Sequence, residues 1–352
     1  HLGLLALHNQ AWKKLGGFSA LEILDLASGL KGAMALDPGM LEDSRRTLDS
    51  LGDEHDVRNH FRFKVLPQLH KSVSSSREPC IIADFAEVFA VSKPAGWSCA
   101  TSRRELQLDS HQPPRILDFL RHVAKDLPVA ADTSVDCGLA HRLDLFTSGA
   151  LLATKTYRSF WRMRLEFCAQ EVRRQYLLLC HGHLPKDSWV EINAPLRLLR
   201  VPLKGTRSVR SQAEVCEKMG RPAITSVVAL AHLEGYGKKL SLVLAKPATG
   251  RTHQIRCHMA KLGHPLVADS LYGGGQASDW CPRTFLHCES IKFLEPWRRL
   301  GCHANAVSFR KVDARLPHDL CLTLRHLRPV DKVSAQIVAG LLSGMASSLP
   351  EE

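Results

Sequence analysis

Two short stretches concentrate the side chains able to do chemistry. In the first, Gly138-Leu139-Ala140-His141-Arg142-Leu143-Asp144 leads into Thr147-Ser148-Gly149 and an apolar run. A carboxylate close to an arginine, in a loop that enters a buried strand, is held ionised by the guanidinium and can still reach a ligand. A turn or capping aspartate carries the same local signature, so Asp144 has two readings on these residues alone. The second stretch, Thr249-Gly250-Arg251-Thr252-His253-Gln254-Ile255-Arg256-Cys257-His258 and on to Gly263, has the form of a helix opened by threonine and closed by glycine. Ile255, Met259 and Leu262 fall on one face, while His253 and Arg256 fall away from it. Two arginines near a helix N-terminus favour an anion, phosphate or carboxylate; a solvated basic face accounts for them equally well. His253, His258 and His264 are spaced by five and six, which does not repeat a helical turn, and no acidic or cysteine set completes a site, so no metal is expected.

The elements that must position these stretches follow from patterning. Residues 1–70 read as a helical N-terminal extension. Ser19 with Glu22 forms a capping box, and Leu21, Leu24, Ala27 and Leu30 recur near a helical period. Asp37-Pro38 is a second helix start, although Asp-Pro-Gly is also a turn signal. The serine- and charge-rich segment 71–79 is the linker, 80–330 the main domain and 331–352 a C-terminal tail. Within the domain, Glu87 to Val91 is a strand entering Lys93-Pro94-Ala95-Gly96, Gly149 to Lys155 a second and Tyr176 to Cys180 a third, with a helix over Tyr157 to Gln170. Ala223 to Ala231 and Lys239 to Ala245 flank Gly235-Tyr236-Gly237, which predicts a hairpin. Many strands with few helices give an α+β fold with a mixed, largely antiparallel sheet. There is no G-x-G-x-x-G or G-x-x-x-x-G-K-[ST] loop, so no nucleotide cofactor is indicated.

Taken in order, HRLD-x-x-TSG, TGRTHQIRCH, GHPLVADSLYGG and RTFLHCESIKF resemble the pseudouridine synthases of the RluA type. KPAG at Lys93 to Gly96 resembles that family's opening strand motif, and RRQYLLLCHG around Tyr176 its K-x-Y strand; the resemblance covers roughly residues 85 to 300. It implies a pseudouridine synthase fold and isomerisation of uridines in RNA without a cofactor. The implied catalytic set is Asp144 as nucleophile, Tyr176 packing on the target base and assisting proton transfer, and Arg256 pairing with the aspartate, with Arg251 as runner-up for that pairing. Arg142 would help open the RNA and His141 support the loop, so that His141, Arg142, Arg251, His253 and Gln254 make the substrate-binding set. Ser92, Arg174 and Pro247 depart from the family pattern without touching the nucleophile. The N-terminal helices do not resemble the small RNA-binding domain that many members carry.

Composition agrees with an RNA partner. The 352 residues hold 47 Lys+Arg against 35 Asp+Glu, a net charge of +12 that attracts a polyanion, and length enough to bury a core without disulfide or metal staples. Eleven cysteines with no C-x-x-C pair read as reduced thiols, which places the protein in a reducing compartment: cytosol, nucleus or an organelle such as chloroplast or mitochondrion. A start at His1 leaves room for a transit peptide ahead of it, and nothing in the sequence reads as a membrane span. A monomer acting on rRNA, tRNA or mRNA is the expectation. An RNA-binding or assembly factor that has kept the fold, and a nucleosidase that releases free uracil, are the rival readings.

Overall fold

Alternation along the strands decides which face each side chain buries. A computed structural model describes residues 38–50, 77–99, 113–202, 209–295 and 308–344. Its main sheet is assembled from β1 (Cys80–Asp84), β2 (Val88–Lys93), β3 (Ser148–Thr154), β4 (Arg173–His181), β5 (Val190–Asn193), β8 (Ile224–Gly235), β9 (Lys238–Pro247), β10 (Leu286–Glu295), β11 (Ser308–Asp313) and β12 (Arg328–Pro329), while β6 (Leu196–Pro202) and β7 (Val209–Val215) form a separate hairpin. The strands run β1-β2-β3-β10-β4-β9-β8-β12, with β11 beside β10 and β5 beside β8. All of these pairs are antiparallel except β3 with β10, so the sheet is mixed and largely antiparallel as expected.

On β4, Tyr176, Leu178 and Cys180 point into one apolar cluster and Leu177 and Leu179 into clusters on the other side, the two-residue period of a strand buried on both faces. The first cluster is closed by α2 (Ile116–Val123), α3 (Pro128–Ala131), α4 (Tyr157–Ala169) and α5 (Gln254–Lys261), through Ile116, Leu117, Ala130, Met163, Ile255 and Met259. The opposite face is covered by α6 (His318–Arg325) and α7 (Lys332–Ser343), through Leu320, Leu324, Ile337, Val338 and Leu341. Part of the stretch expected as a tail is therefore α7, capped by Asp331 and laid on the apolar back of β8 and β9.

The helix start at Asp37-Pro38 is met by α1 (Pro38–Ser50), with proline at its first position. It docks on α4 through Arg45, whose guanidinium donates to both Glu166 oxygens at 3.0 and 2.7 Å; Arg162 reaches the same buried carboxylate at 2.9 Å. The expected capping box at Ser19 and most of the linker lie outside the described residues. The β8–β9 hairpin turns on Tyr236 and Gly237, both with positive φ, the two-residue turn whose twist suits flanking strands. One expectation is displaced. The helix over 249–263 starts only at Gln254, because Thr249 is buried with its hydroxyl donating to Gln254 Oε1 at 2.7 Å and accepting from Ile224 N at 3.1 Å, and left-handed His253 (φ 54°) is the residue that precedes the first turn.

Candidate active site

The loop carrying Asp144 connects a short 3-10 segment, Thr133–Gly138, to β3. Thr147 N donates to Asp144 O at 3.1 Å, which closes a four-residue turn over Leu145 and Phe146. That turn is clamped from two sides. On one, the Lys93 ammonium, fully buried, donates to the carbonyls of Leu145 (3.0 Å), Pro94 (3.0 Å) and Trp97 (2.9 Å), and Gly96 N adds a second bond to Leu145 O at 2.8 Å. Burial pushes Lys93 down to about 8. On the other side, Arg283 donates to Phe146 O and to Ser148 Oγ, both at 2.9 Å, and is itself held by Asp319 at 2.6 Å. Upstream, His141 Nε2 accepts from Leu152 N at 3.0 Å and its ring lies 4.7 Å from Phe167; burial lowers its pKa to about 3, so the ring is neutral.

Helix α5 brings the cation. Arg256 Nη1 lies 3.4 Å from Asp144 Oδ2, while its Nε and Nη2 grip Asp269 at 2.7 and 2.8 Å in a bidentate pair. Asp269 is almost completely buried and Asp144 is partly open, so Arg256 has a fixed anchor on one side and a reachable carboxylate on the other. Burial alone would depress the guanidinium; the Asp269 carboxylate outweighs it and raises the pKa above its usual value. Arg256 also lies over the ring of Tyr272 at 5.1 Å, and the Tyr272 hydroxyl meets His253 Nδ1 at 3.1 Å. His253 Nε2 is 3.9 Å from Asp144, and burial lowers the pKa of this histidine. From β4, Tyr176 lies buried within electrostatic reach of Asp144, its hydroxyl against the Cys288 thiol; burial raises its pKa well above that of a free tyrosine.

The loop at 141–148 and helix α5 thus meet at one partly open carboxylate, with Tyr176 of strand β4 in electrostatic reach of it. Residues 87–261 match the RNA pseudouridylate synthase family. The dual-specificity RNA pseudouridine synthase RluA of Pasteurella multocida is 35% identical over 160 residues, 46% of this chain and 68% of that protein. The RluA enzyme of Escherichia coli K12 is 27% identical over 237 residues, 66% of this chain and 94% of its own length. Among solved structures, human RNA pseudouridylate synthase domain containing 1 aligns with 24% identity and a TM-score of 0.49, covering 79% of this chain and 98% of that one. This chain belongs to the RluA-type pseudouridine synthase family. Members are RNA-modifying isomerases.

The family match spans Lys93, Asp144, Tyr176 and Arg256 and stops at Lys261, so Asp269, Tyr272 and Arg283 come from beyond it. Of the residues expected at a synthase site, Arg256 and His253 are brought to Asp144, at 3.4 and 3.9 Å, and Tyr176 lies within electrostatic reach of it. Arg142 is exposed on the same loop. Arg251 does not share in the Asp144 contact; its Nε donates to Pro222 O at 3.1 Å, and burial lowers its pKa. Gln254, expected to touch substrate, is buried. Its amide nitrogen donates to Ile224 O and Thr225 Oγ1 and its oxygen accepts from Thr249 Oγ1 and Arg251 N, so all its capacity is spent on holding the 249–254 turn. His258 and His264 are likewise turned to separate partners, His258 to Thr225 and Ala194, His264 to His181 O. Sequence reasoning missed Asp269, Tyr272, Arg283 and the bond made by Lys93; the first three sat unremarked inside the quoted motifs GHPLVADSLYGG and RTFLHCESIKF.

Proposed function

We propose that this chain converts uridines within RNA to pseudouridine, with Asp144 as the nucleophile and the target base flipped out of its stack to reach it. The observation that carries the reading is a partly open carboxylate, 3.4 Å from an arginine that Asp269 fixes in place. A carboxylate that a fixed cation faces on one side and that is open on the other is placed to attack a ligand.

The base leaves its stack at a cost of roughly a few kcal/mol, offset by packing against Tyr176 and by phosphate contacts from the basic surface. Asp144 attacks the sugar or the base, and the bond between nitrogen 1 and the sugar breaks. The detached uracil rotates and bonds to the sugar through carbon 5, releasing Asp144. The proton on carbon 5 then leaves and nitrogen 1 gains one, so atoms and charge balance as an isomerisation. Tyr176, with its raised pKa, remains a neutral phenol near pH 7 and works by packing and hydrogen bonding as that proton departs. Arg142, Arg251 and His253 complete the substrate contacts, and His141 supports the loop as a neutral ring. The same proposal takes the catalytic domain from residue 80 through α7, in place of the expected end at 330, behind a helical extension and a 71–79 linker, and the working unit as a monomer.

The test is tritium release from cellular RNA labelled at carbon 5 of uridine. Release by the intact chain is expected, with no free uracil. RNA binding without release would favour a binding or assembly factor, and free uracil a nucleosidase.

A further inference from the structure

Among the described residues, exposed aromatic rings are, with one exception, packed on a neighbour. Trp189, Tyr236 and Phe309 are 42%, 55% and 48% exposed, yet Lys246 lies over the first at 4.6 Å, Trp280 stacks on the second at 4.7 Å, and Lys292 lies over the third at 5.2 Å. Phe146 is 54% exposed, and among the described residues no ring or cation is paired with it. It occupies the third position of the Asp144–Thr147 turn, where small polar residues are favoured and a phenyl ring has no local role.

The backbone beneath that ring is fixed. Arg283 holds the Phe146 carbonyl at 2.9 Å, while Lys93 and Gly96 hold the carbonyl just before it at 3.0 and 2.8 Å. A rigid loop therefore presents, two residues beyond Asp144, an aromatic face to solvent, with the exposed Arg142 two residues before it. Flipping a uridine strips its neighbour of a stacking partner, and unpaired RNA bases bind proteins by stacking on aromatic rings. A ring carried on a fixed backbone stacks with less entropy lost than one on a mobile loop.

We propose that Phe146 is a stacking platform for the base adjoining the flipped uridine, and so a residue that sets how the RNA strand is held around the target. This rests on the uridine being delivered to Asp144, as proposed above. The strand chemistry it fits is single-stranded RNA with a base, rather than an abasic sugar, beside the target.

The experiment is a double-mutant cycle on the full chain, read by fluorescence anisotropy. The probe is a stem-loop RNA whose loop holds one uridine between two purines, compared with the same RNA made abasic at both flanking positions. The wild-type protein is expected to bind the abasic probe at least about fivefold more weakly. For Phe146→Ala and Phe146→Leu that difference shrinks to about twofold or less, and for Phe146→Trp it persists. An unchanged abasic penalty in both the alanine and leucine variants would overturn the proposal, as would equal binding of the two probes by the wild type. Asp144→Asn separates the two claims. If it, like the wild type, shows the abasic penalty while neither makes pseudouridine, stacking at Phe146 stands and the catalytic reading fails.

Discussion

Asp269 makes no direct contact with Asp144, yet it decides where the charge opposite Asp144 sits. Its carboxylate takes two of the Arg256 nitrogens, leaving only Nη1 directed at Asp144. Replacing Asp269 with asparagine keeps the shape and weakens the grip. A displacement of about 1 Å in a catalytic group costs up to about a hundredfold in rate, so Asp269→Asn is expected to lower kcat by about ten- to a hundredfold with KM little changed. Steady-state kinetics on an RNA substrate check this; a loss confined to KM would mean that Arg256 serves binding. Lys93 acts on the same carboxylate through the backbone. Its three bonds to carbonyl oxygens use all three ammonium hydrogens, and a neutral amine would turn a lone pair toward one of them. The competent form is the protonated one, so turnover is expected to be full below, and to fall through, a pH of about 8. A pH–rate profile flat to pH 10 would show that the clamp does not depend on this charge.

Each element around the site has a local reason, and these were legible to different degrees. β2, β3, α4 and β4 were readable because apolar runs and a helical period mark them directly. The start of α5 was not, since Thr249 looks like a cap by type but is buried under Gln254, and His253 adopts a left-handed φ that no residue pattern announces. Asp144, Arg256 and Tyr176 were legible through motifs in series, whereas Asp269 is separated from Arg256 by a turn whose course local patterning does not give. Gly149 shows what the TSG motif is for. It has φ 122°, and a Cβ there would lie 2.1 Å from the Cys288 carbonyl oxygen across the parallel β3–β10 pairing. Gly149→Ala therefore forces β3 off β10 beside the Asp144 loop. A loss of roughly 3 kcal/mol or more is expected, as for other changes at special backbone positions, measured as a lowered urea midpoint. An unchanged midpoint would mean the pairing is dispensable.

Across the whole molecule, buried histidines tie the sheet to the segments around it. His287, on β10, meets Ser148 Oγ through Nδ1 and Ala314 O through Nε2, both at 2.9 Å, and burial lowers its pKa to about 4 from 6.5. Between those values the unfolded chain holds a proton that the folded chain does not, so stability is complete above pH 6.5 and falls as the pH drops through that window. The expected loss from His287 is about 2 kcal/mol between pH 6.5 and 5, read from urea unfolding at each pH, and His287→Asn should flatten the slope by that amount. The basic balance of the chain suits a polyanion and the family's RNA chemistry. What makes the molecule an enzyme, on this account, is one carboxylate. The most direct measurement is pseudouridine per RNA, by nucleoside chromatography after incubation with the intact chain and with Asp144→Asn at equal, anisotropy-verified RNA binding. Pseudouridine from the intact chain alone is the predicted result; pseudouridine from the asparagine variant would contradict it.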